Sequence, residues 1–304
     1  MTAAVTVRVP AKVNVQLAVG PLRPDGFHDL ANVFLAVGLY DEVTVAPADE
    51  LRITCSGPDA GQVPLDRTNL AARAALSLAA RHGREANVHI HIAKDIPVAG
   101  GMAGGSADGA GALLACDALW GTGASREELL EICAELGSDV PFSLVGGAAL
   151  GRGRGELLTP LETGGTFHWV FAVADGGLST PAVYAECDRL RGAGASDIAD
   201  PEPSAALPAA LAAGDAVALA AAASNDLQAA AVSLRPSLAA TLAAGSGAGA
   251  LAAMVSGSGP TTAFLVAGPE EAEKVADVLR SSGTCRAVRV TAGPAAGATV
   301  VSLP

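Results

Sequence analysis

IPVAGGMAGGSAD, residues 96–108, is the most informative stretch of the sequence, because its glycines fill a turn between a strand pattern and a helix pattern. Glycines let successive backbone N–H groups point into one concavity, and the N-terminus of a helix adds partial positive charge. We therefore predict a phosphate-binding turn over 97–105 that leads into a helix from Ser106 to about Trp120. The Ser106 hydroxyl could donate to the phosphate or reach a metal ion. A purely structural turn is the alternative interpretation.

Two common nucleotide-binding motifs do not fit this turn. The Walker pattern GxxxxGK[ST] needs a lysine after the glycines, and none follows here. The dinucleotide fingerprint needs a βαβ unit with a later acidic residue, and the sequence has no suitable unit. The stretch therefore indicates a phosphate-binding loop of another kind.

Downstream of this loop, LGSDVPF at 136–142 places Asp139 after a helix stop and before Val-Pro. An aspartate in this place can be the general base that accepts a hydroxyl proton in phosphoryl transfer. The alternative is a simple N-cap of the following turn.

Upstream of the loop, PAKVNVQL at 10–17 has the alternation of a strand and places Lys12 and Asn14 on one face. Lysine is rare in this chain: of 19 lysines and arginines, only Lys12, Lys94 and Lys274 are lysines. Lys12 could stabilise negative charge on a phosphoryl group or on an acceptor oxygen. An edge-strand lysine that deters aggregation is the alternative.

Two further segments have the composition of binding loops. RPDGFHDL at 23–30 places Phe27 and His28 after a turn, where one ring could stack on a planar ligand and the other could hydrogen-bond to it. A core phenylalanine beside a surface histidine is the alternative. SGSGPT at 256–261 joins two strands and must lie close to a phosphate or to another backbone segment.

Hydrophobic periodicity predicts the remaining elements. Strands are predicted over 5–9, 13–17, 42–46, 88–92, 169–174, 250–255, 262–266 and 287–291, helices over 69–82, 125–136, 180–191 and 269–280, short alanine-rich helices over about 205–244, turns at 20–21 and 24–26, and a flexible loop over 192–204. His89 and His91 share one face of their strand. We interpret that face as an ordinary polar sheet face rather than a metal site, because no third ligand has a suitable spacing.

The composition limits the class of protein. A net charge of −12 argues against nucleic-acid or anionic-membrane partners, because the chain has no excess of positive charge to neutralise phosphates. Neither a signal peptide nor an apolar stretch of membrane-spanning length is present. Five scattered cysteines without CxxC spacing predict reduced thiols. We predict a cytoplasmic protein that binds a small molecule and for which no obligate protein partner is implied.

Three segments together resemble the motifs of the GHMP kinase superfamily: the early lysine-bearing strand, the glycine loop over 97–107 and the late SGSGPT. Within that superfamily, AKVNVQLAVGPLRPDGFHDL and LGSDVPF are similar to the kinases of 4-diphosphocytidyl-2-C-methyl-D-erythritol. The similarity spans both halves of the chain and includes NDL at 225–227 and GRGE at 153–156. DGFHDL is the specific phrase, because galactokinases, homoserine kinases and mevalonate kinases lack it.

The resemblance implies a fold and a reaction. The fold would be α+β, with a ribosomal protein S5 domain 2-like N-terminal domain over 1–160 and a ferredoxin-like C-terminal domain over 161–304. The reaction would be ATP-dependent phosphorylation of the 2-hydroxyl of 4-diphosphocytidyl-2-C-methyl-D-erythritol, in non-mevalonate isoprenoid precursor biosynthesis. Mg²⁺ is expected to accompany ATP.

The resemblance also implies a set of site residues, with Lys12 and Asp139 as the catalytic pair. The implied ATP-binding residues are Pro97, Val98, Ala99, Gly100, Gly101, Met102, Ala103, Gly104, Gly105, Ser106, Ala107, Asn69 and Lys94, the last two near the adenosine. The implied substrate-binding residues are Asn14, Phe27, His28 and Tyr184. The metal ligand is unassigned, with Ser106, Asp108 and Asp117 as candidates. The chain departs from the usual family text at Phe27 (usually Tyr), at Ala99 and Ala103 (commonly Gly) and at Ala107 (usually Ser).

Two rival functions remain open at this point. One is another GHMP kinase, for example a homoserine or sugar kinase. The other is a nucleotide-binding regulatory protein whose kinase fold has lost activity. The second would require the loss of Lys12 or Asp139, and the sequence retains both.

Overall fold

The computed structural model of the chain describes residues 4–192 and 198–302. The strands are β1 (Val5–Leu22), β2 (His28–Pro47), β3 (Arg52–Ser56), β4 (Val88–Ala93), β5 (Ala148–Arg152), β6 (Leu157–Leu161), β7 (Phe167–Val173), β8 (Ser224–Asn225), β9 (Ala252–Val255), β10 (Thr262–Val266), β11 (Ala287–Gly293) and β12 (Thr299–Ser302). The helices are α1 (Leu70–Arg81), α2 (Gly104–Trp120), α3 (Arg126–Leu136), α4 (Val140–Val145), α5 (Thr180–Arg191), α6 (Ala206–Ala213), α7 (Ala216–Ala222), α8 (Gln228–Leu234), α9 (Ser237–Gly247) and α10 (Pro269–Ser282). Part of the predicted loop over 192–204, residues 193–197, lies outside the described residues.

The first sheet is built on the long antiparallel pair of β1 and β2, with the order β12-β1-β2-β4-β3. The strands predicted over 5–9 and 13–17 form one strand, because β1 absorbs irregularities as bulges and does not end. The turn predicted at Gly20-Pro21 is wrong for the same reason. The register shifts between Val19 and Leu22, and pairing with β2 continues to Leu22.

The predicted turn at 24–26 is confirmed and closes the β1–β2 hairpin. Gly26 donates its N–H to the Arg23 carbonyl (3.0 Å), and the Asp25 carboxylate accepts from the Phe27 N–H (3.1 Å). Gly26 has a φ of 84°, which favours glycine. His28 then begins β2, so that Phe27 and His28 lie at one end of the hairpin.

Helices α1 and α2 cover one face of this sheet. The Asn69 side chain caps α1 by accepting from the Ala71 N–H, so this helix was predicted to within one residue at each end. Helix α2 begins at Gly104, two residues before the predicted Ser106. A Cβ on Gly111 would lie 2.8 Å from a Val43 methyl group, so α2 lies very close to the sheet.

The second sheet has the order β11-β7-β10-β9, and α9 and α10 pack on one of its faces. Val170, Phe264 and Leu279 are buried in that interface. Trp169 and Phe171, on the other face of β7, join the main hydrophobic core. The chain therefore has an α+β fold, with two sheets that share one apolar layer.

The first sheet is completed by strands from late in the sequence. β8 pairs with β1 in parallel, and β12 pairs with β1 in antiparallel orientation. The domain division at 160/161 stays a prediction. β8 and β12 follow this division in the sequence, but both pair with β1, which precedes it. Over the described residues, no helix is long and apolar enough to cross a membrane.

Candidate active site

A cavity of about 780 Å³ lies where β1, the glycine loop and the second half of the chain meet. Its lining combines the early lysine-bearing strand, the loop at 99–106, Asp139, Tyr184 and the loop at 257–259. Segments that are far apart in sequence, and that were singled out separately, therefore face one space.

The glycine loop forms one wall of this cavity, and β2 anchors its entry. The Asp41 Oδ1 atom accepts from the N–H groups of Asp95 (2.7 Å) and Ile96 (2.9 Å), just before the loop begins. The loop ends at the N-terminus of α2, where Gly104, Gly105 and Ser106 line the cavity. Unpaired N–H groups and the helix dipole at this end suit an anion.

The SGSGPT segment backs the glycine loop. Ser256 Oγ donates to the Gly101 carbonyl (3.1 Å), and a Cβ on Gly101 would lie 2.0 Å from the Ser256 carbonyl oxygen. Of the two alternatives for SGSGPT, the structure therefore has the close approach to another backbone. Gly257, Ser258 and Gly259 also line the cavity.

Lys12 and Asp139 meet in the cavity, although 127 residues separate them in the sequence (139 − 12). Lys12 Nζ lies 3.4 Å from Asp139 Oδ2, with the lysine side chain 6% exposed and the aspartate side chain 31% exposed. Asp139 is the N-cap residue of α4, as the alternative has it, but its side chain makes no capping hydrogen bond and faces Lys12. The edge-strand alternative for Lys12 is wrong, because β1 lies inside the sheet and the lysine is buried.

Asn14 holds Lys12 in place. Lys12 Nζ donates to Asn14 Oδ1 (2.5 Å), and Asn14 Nδ2 donates to Asn32 Oδ1 (2.7 Å). Asn32 was not singled out from the sequence, because its partner on β1 lies 18 residues earlier and only the strand register brings the two together. This chain of bonds fixes the ammonium group opposite Asp139.

Phe27, His28 and Tyr184 lie together at another part of the cavity. The His28 ring stacks on Tyr184 with centroids 5.1 Å apart, and His28 Nε2 lies 3.0 Å from Asp188 Oδ1 on α5. Burial, and then the Asp139 carboxylate, raise the pKa of the Tyr184 hydroxyl. Phe27 is 48% exposed, so the alternative of a core phenylalanine is wrong. His28 is buried, so the alternative of a surface histidine is wrong as well.

Lys94 lies outside the cavity, in a buried group with two carboxylates. Its Nζ donates to Asp41 Oδ2 (2.6 Å) and Asp108 Oδ2 (2.8 Å), and all three side chains are at most 3% exposed. Burial, the largest influence, lowers the pKa of Lys94, but the two carboxylates outweigh it and the pKa is raised. Burial raises the pKa of Asp108 to about 8. Lys94, which was predicted near the adenosine, thus directs its ammonium group to two buried carboxylates of the protein.

The other predicted ATP residues divide into two groups. Ala99, Gly100, Gly101, Ala103, Gly104, Gly105 and Ser106 line the cavity, whereas Asn69, Pro97, Val98, Met102 and Ala107 do not. The Asn69 amide is engaged with Pro64 and Ala71, and Met102 is fully buried. Residues of the second group could contribute to ATP binding through their backbone atoms, or indirectly by holding the neighbouring cavity residues in place.

Of the three candidate metal ligands, only Ser106 lines the cavity. The Asp108 carboxylate is buried against Lys94, and Asp117 accepts from Thr122 and Ala124 near the far end of α2. Within the described residues, no group of three or more His, Cys, Asp or Glu side chains could hold a metal ion. Asp108 and Asp117 therefore do not fit an ion bound with ATP, and the Ser106 hydroxyl does.

Asn32, Arg154 and Asp188 are among the cavity residues that were not identified from the sequence. Arg154 lies in the turn between β5 and β6, and its guanidinium carbon is 5.0 Å from the centre of the Phe27 ring. A signal was available for Arg154, since GRGE had been quoted, but nothing in the sequence placed that turn beside Phe27.

The chain matches the GHMP kinases N terminal domain over residues 69–147 and the GHMP kinases C terminal domain over residues 207–285. A relative from Streptomyces avermitilis named 4-diphosphocytidyl-2-C-methyl-D-erythritol kinase is 76% identical over 98% of this chain and 99% of its own length. A relative with the same name from Thermobifida fusca is 59% identical over 98% of each chain.

Solved structures match over nearly the whole chain. A crystal structure of 4-(cytidine 5'-diphospho)-2C-methyl-D-erythritol kinase is 33% identical, with a TM-score of 0.76, and the match covers 94% of this chain and 99% of that chain. A homoserine kinase from Cytophaga hutchinsonii has a TM-score of 0.75 at 20% identity and covers 98% of this chain and 97% of its own. The second match shows the fold alone.

Proposed function

The chain belongs to the GHMP kinase family and, within it, to the 4-diphosphocytidyl-2-C-methyl-D-erythritol kinases, and on that premise we propose that it transfers the γ-phosphoryl group of ATP to the 2-hydroxyl of 4-diphosphocytidyl-2-C-methyl-D-erythritol. The observation that carries this proposal is the Lys12–Asp139 pair, which shares a cavity with the N-terminus of α2. The reaction belongs to non-mevalonate isoprenoid precursor biosynthesis.

Asp139 accepts the proton of the 2-hydroxyl in this mechanism. The hydroxyl oxygen bonds to the γ-phosphorus while the bond from that phosphorus to the bridging oxygen breaks, and ADP leaves. Lys12 stabilises the negative charge that develops around the transferred group. Asn14 fixes the Lys12 ammonium group, so little reorganisation is needed during transfer. Phosphoryl transfer requires mainly such positioning and electrostatics.

The glycine loop and the first turn of α2 bind the phosphates of ATP in this proposal. The Ser106 hydroxyl faces the cavity and would hold Mg²⁺, which would neutralise phosphate charge when bound with ATP. Phe27, His28 and Tyr184 bind the cytosine end of the substrate, and Asn14 contributes near the methylerythritol. A cytoplasmic location and the absence of nucleic-acid and membrane partners remain predictions from the sequence, which implies no obligate protein partner.

A coupled ADP-release assay tests the proposed reaction. The purified protein is given ATP, Mg²⁺ and one alcohol at a time: 4-diphosphocytidyl-2-C-methyl-D-erythritol, homoserine, mevalonate or galactose. We expect kcat/KM for the cytidine-bearing alcohol to exceed the others by at least about 100-fold, because a site with buried polar groups rejects ligands that leave them unpaired. A reaction without alcohol measures background ATP hydrolysis. Equal or faster turnover of another alcohol would contradict the proposal.

A further inference from the structure

The turn between β5 and β6 presents a cation to the cavity. The Arg154 N–H donates to Glu156 Oε2 (2.7 Å), and the Gly153 carbonyl accepts from the Leu30 N–H on β2 (2.8 Å). Gly153 has a φ of 69°, a backbone conformation that favours glycine. The turn is thus held by a bond within itself and by a bond to β2, and Arg154 lies among the residues that line the cavity.

The Arg154 guanidinium keeps much of its hydrogen-bonding capacity in this position. Its carbon lies 5.0 Å from the centre of the Phe27 ring, within the range of a cation–π contact. Its bond to Glu156 Oε1 is long, at 3.4 Å, and so is its bond to the Ala134 carbonyl, at 3.5 Å. A guanidinium carries five N–H donors, so donors remain for a ligand in the cavity.

Arg154 is the positively charged side chain of the cavity that is available to bind an anionic substrate. Among the described residues that line the cavity, Lys12 and Arg154 are the lysine and arginine side chains. Lys12 faces Asp139 and Asn14 and is assigned to the transferred group. The proposed substrate contains a diphosphate between its cytidine and its methylerythritol, so this diphosphate must lie between the Phe27 end and the Lys12 end.

We propose that Arg154 binds the substrate's diphosphate and thereby selects a nucleoside diphosphate ester over an uncharged alcohol. The proposal rests on the proposed function. A planar guanidinium matches two phosphate oxygens at once, and the Phe27 ring keeps its plane in place. Arg154 contacts the substrate away from the reacting atoms, so it sets affinity and specificity and leaves the chemical step to Lys12 and Asp139.

Calorimetric binding of cytidine 5'-diphosphate and of cytidine, each with a saturating non-hydrolysable ATP analogue, tests this role. The variants are Arg154→Met, which loses the charge, and Arg154→Lys, which keeps the charge without the planar fork. Arg152→Met is the matched control, because Arg152 is an exposed arginine two residues earlier that does not line the cavity. The quantity compared is the ratio of the cytidine Kd to the cytidine 5'-diphosphate Kd.

We expect wild type to bind cytidine 5'-diphosphate more tightly than cytidine. In Arg154→Met this ratio of Kd values should be about 10- to 100-fold smaller, the usual range for the loss of a charge-assisted bond. Arg154→Lys should fall between the two, and Arg152→Met should match wild type. A ratio unchanged in Arg154→Met, or no preference in wild type, would overturn the role. ADP release from ATP by wild type, with 4-diphosphocytidyl-2-C-methyl-D-erythritol as the acceptor, is measured on the same preparation. Its absence would contradict the proposed function, whereas turnover with an unchanged ratio contradicts only the role of Arg154.

Discussion

Ala99 and Ala103 hold backbone conformations in the glycine loop that L-residues rarely adopt, with φ values of 52° and 61°. The resemblance to the usual family text implies glycine at these two positions, and alanine there reduces the freedom of the backbone. In the structure, Ala103 is the N-cap residue of α2 and has a left-handed backbone conformation, so the strain falls at the start of this helix. The left-handed conformation costs an L-residue roughly 1–2 kcal/mol.

Replacing Ala103 by glycine should therefore stabilise the protein. The relief of strain outweighs the added freedom of the unfolded chain, which costs about 0.4–1 kcal/mol, and leaves a gain of up to about 1 kcal/mol. For a chain of this size, that gain raises Tm by roughly 1–3 °C. Thermal unfolding measures it, with Ala107→Gly as the control, since Ala107 is buried within α2 and its loss should lower Tm. A fall in Tm for both variants would show that Ala103 is not strained.

At the same scale, Lys12 and Asp139 were predicted as a pair, because each lies in a phrase that resembles the family text. Asp188 and Arg154 were not, because what gives them a role is a partner far away in the sequence. Asp188 contacts His28 across 160 residues, and Arg154 in the β5–β6 turn contacts Phe27 in the distant β1–β2 turn. No local pattern encodes such pairs.

The entry to the glycine loop and α2 depends on a buried ionic group that spans three elements. Asp41 on β2, Lys94 after β4 and Asp108 on α2 meet away from water, and Asp41 also holds the backbone before the loop. Asp108 Oδ1 has no hydrogen-bond partner among the described residues. Burial therefore favours a protonated Asp108 beside a Lys94–Asp41 ion pair, which agrees with its raised pKa of about 8.

This group makes stability depend on pH. The native pKa of Asp108, about 8, is above its ordinary value of 3.8. Between those values the folded chain keeps a proton that the unfolded chain has released, so the Asp108 contribution to stability falls as the pH rises towards 8. We expect the Tm of wild type to decline more steeply from pH 5 to pH 8 than that of Asp108→Asn.

Asp117→Asn is the control for the loss of one carboxylate from α2, because Asp117 lies outside the buried group. Its Tm should follow the wild-type slope against pH. Parallel slopes for wild type and Asp108→Asn would mean that Asp108 is ionised in the folded protein across this range.

Elements with a strong period and a clear boundary were predicted most accurately. α5 was predicted with both ends correct, and α1 to within a residue, because proline or a cap fixes the start and glycine follows the end. The length of β1 was missed, since bulges let a strand continue through a Gly-Pro pair that usually indicates a turn. Neither strand of the β5–β6 hairpin was predicted, and only GRGE at 153–156 was quoted from it.

At the scale of the whole molecule, the cavity exists because the two halves of the chain meet around β1. Tyr184 and Gly257 from the second half face Lys12 and the glycine loop from the first. Contacts such as Arg286 with Asp59 (2.6 Å) and Ser256 with Gly101 join the halves close to the loop. The resemblance to GHMP kinases predicted the two-part α+β fold, but periodicity alone could not, because β8 and β12 return to the first sheet from distant parts of the sequence.

The central claim is that this cavity performs phosphoryl transfer with Asp139 as the group that accepts the hydroxyl proton. The most direct test is kcat of Asp139→Asn with saturating ATP and 4-diphosphocytidyl-2-C-methyl-D-erythritol. Asparagine keeps the shape beside Lys12 but cannot take the proton, so we expect kcat to fall by roughly 10²- to 10⁴-fold while Tm and ATP affinity change little. A variant that keeps more than about a third of the wild-type kcat would contradict the assignment, since a lost proton acceptor costs far more than that.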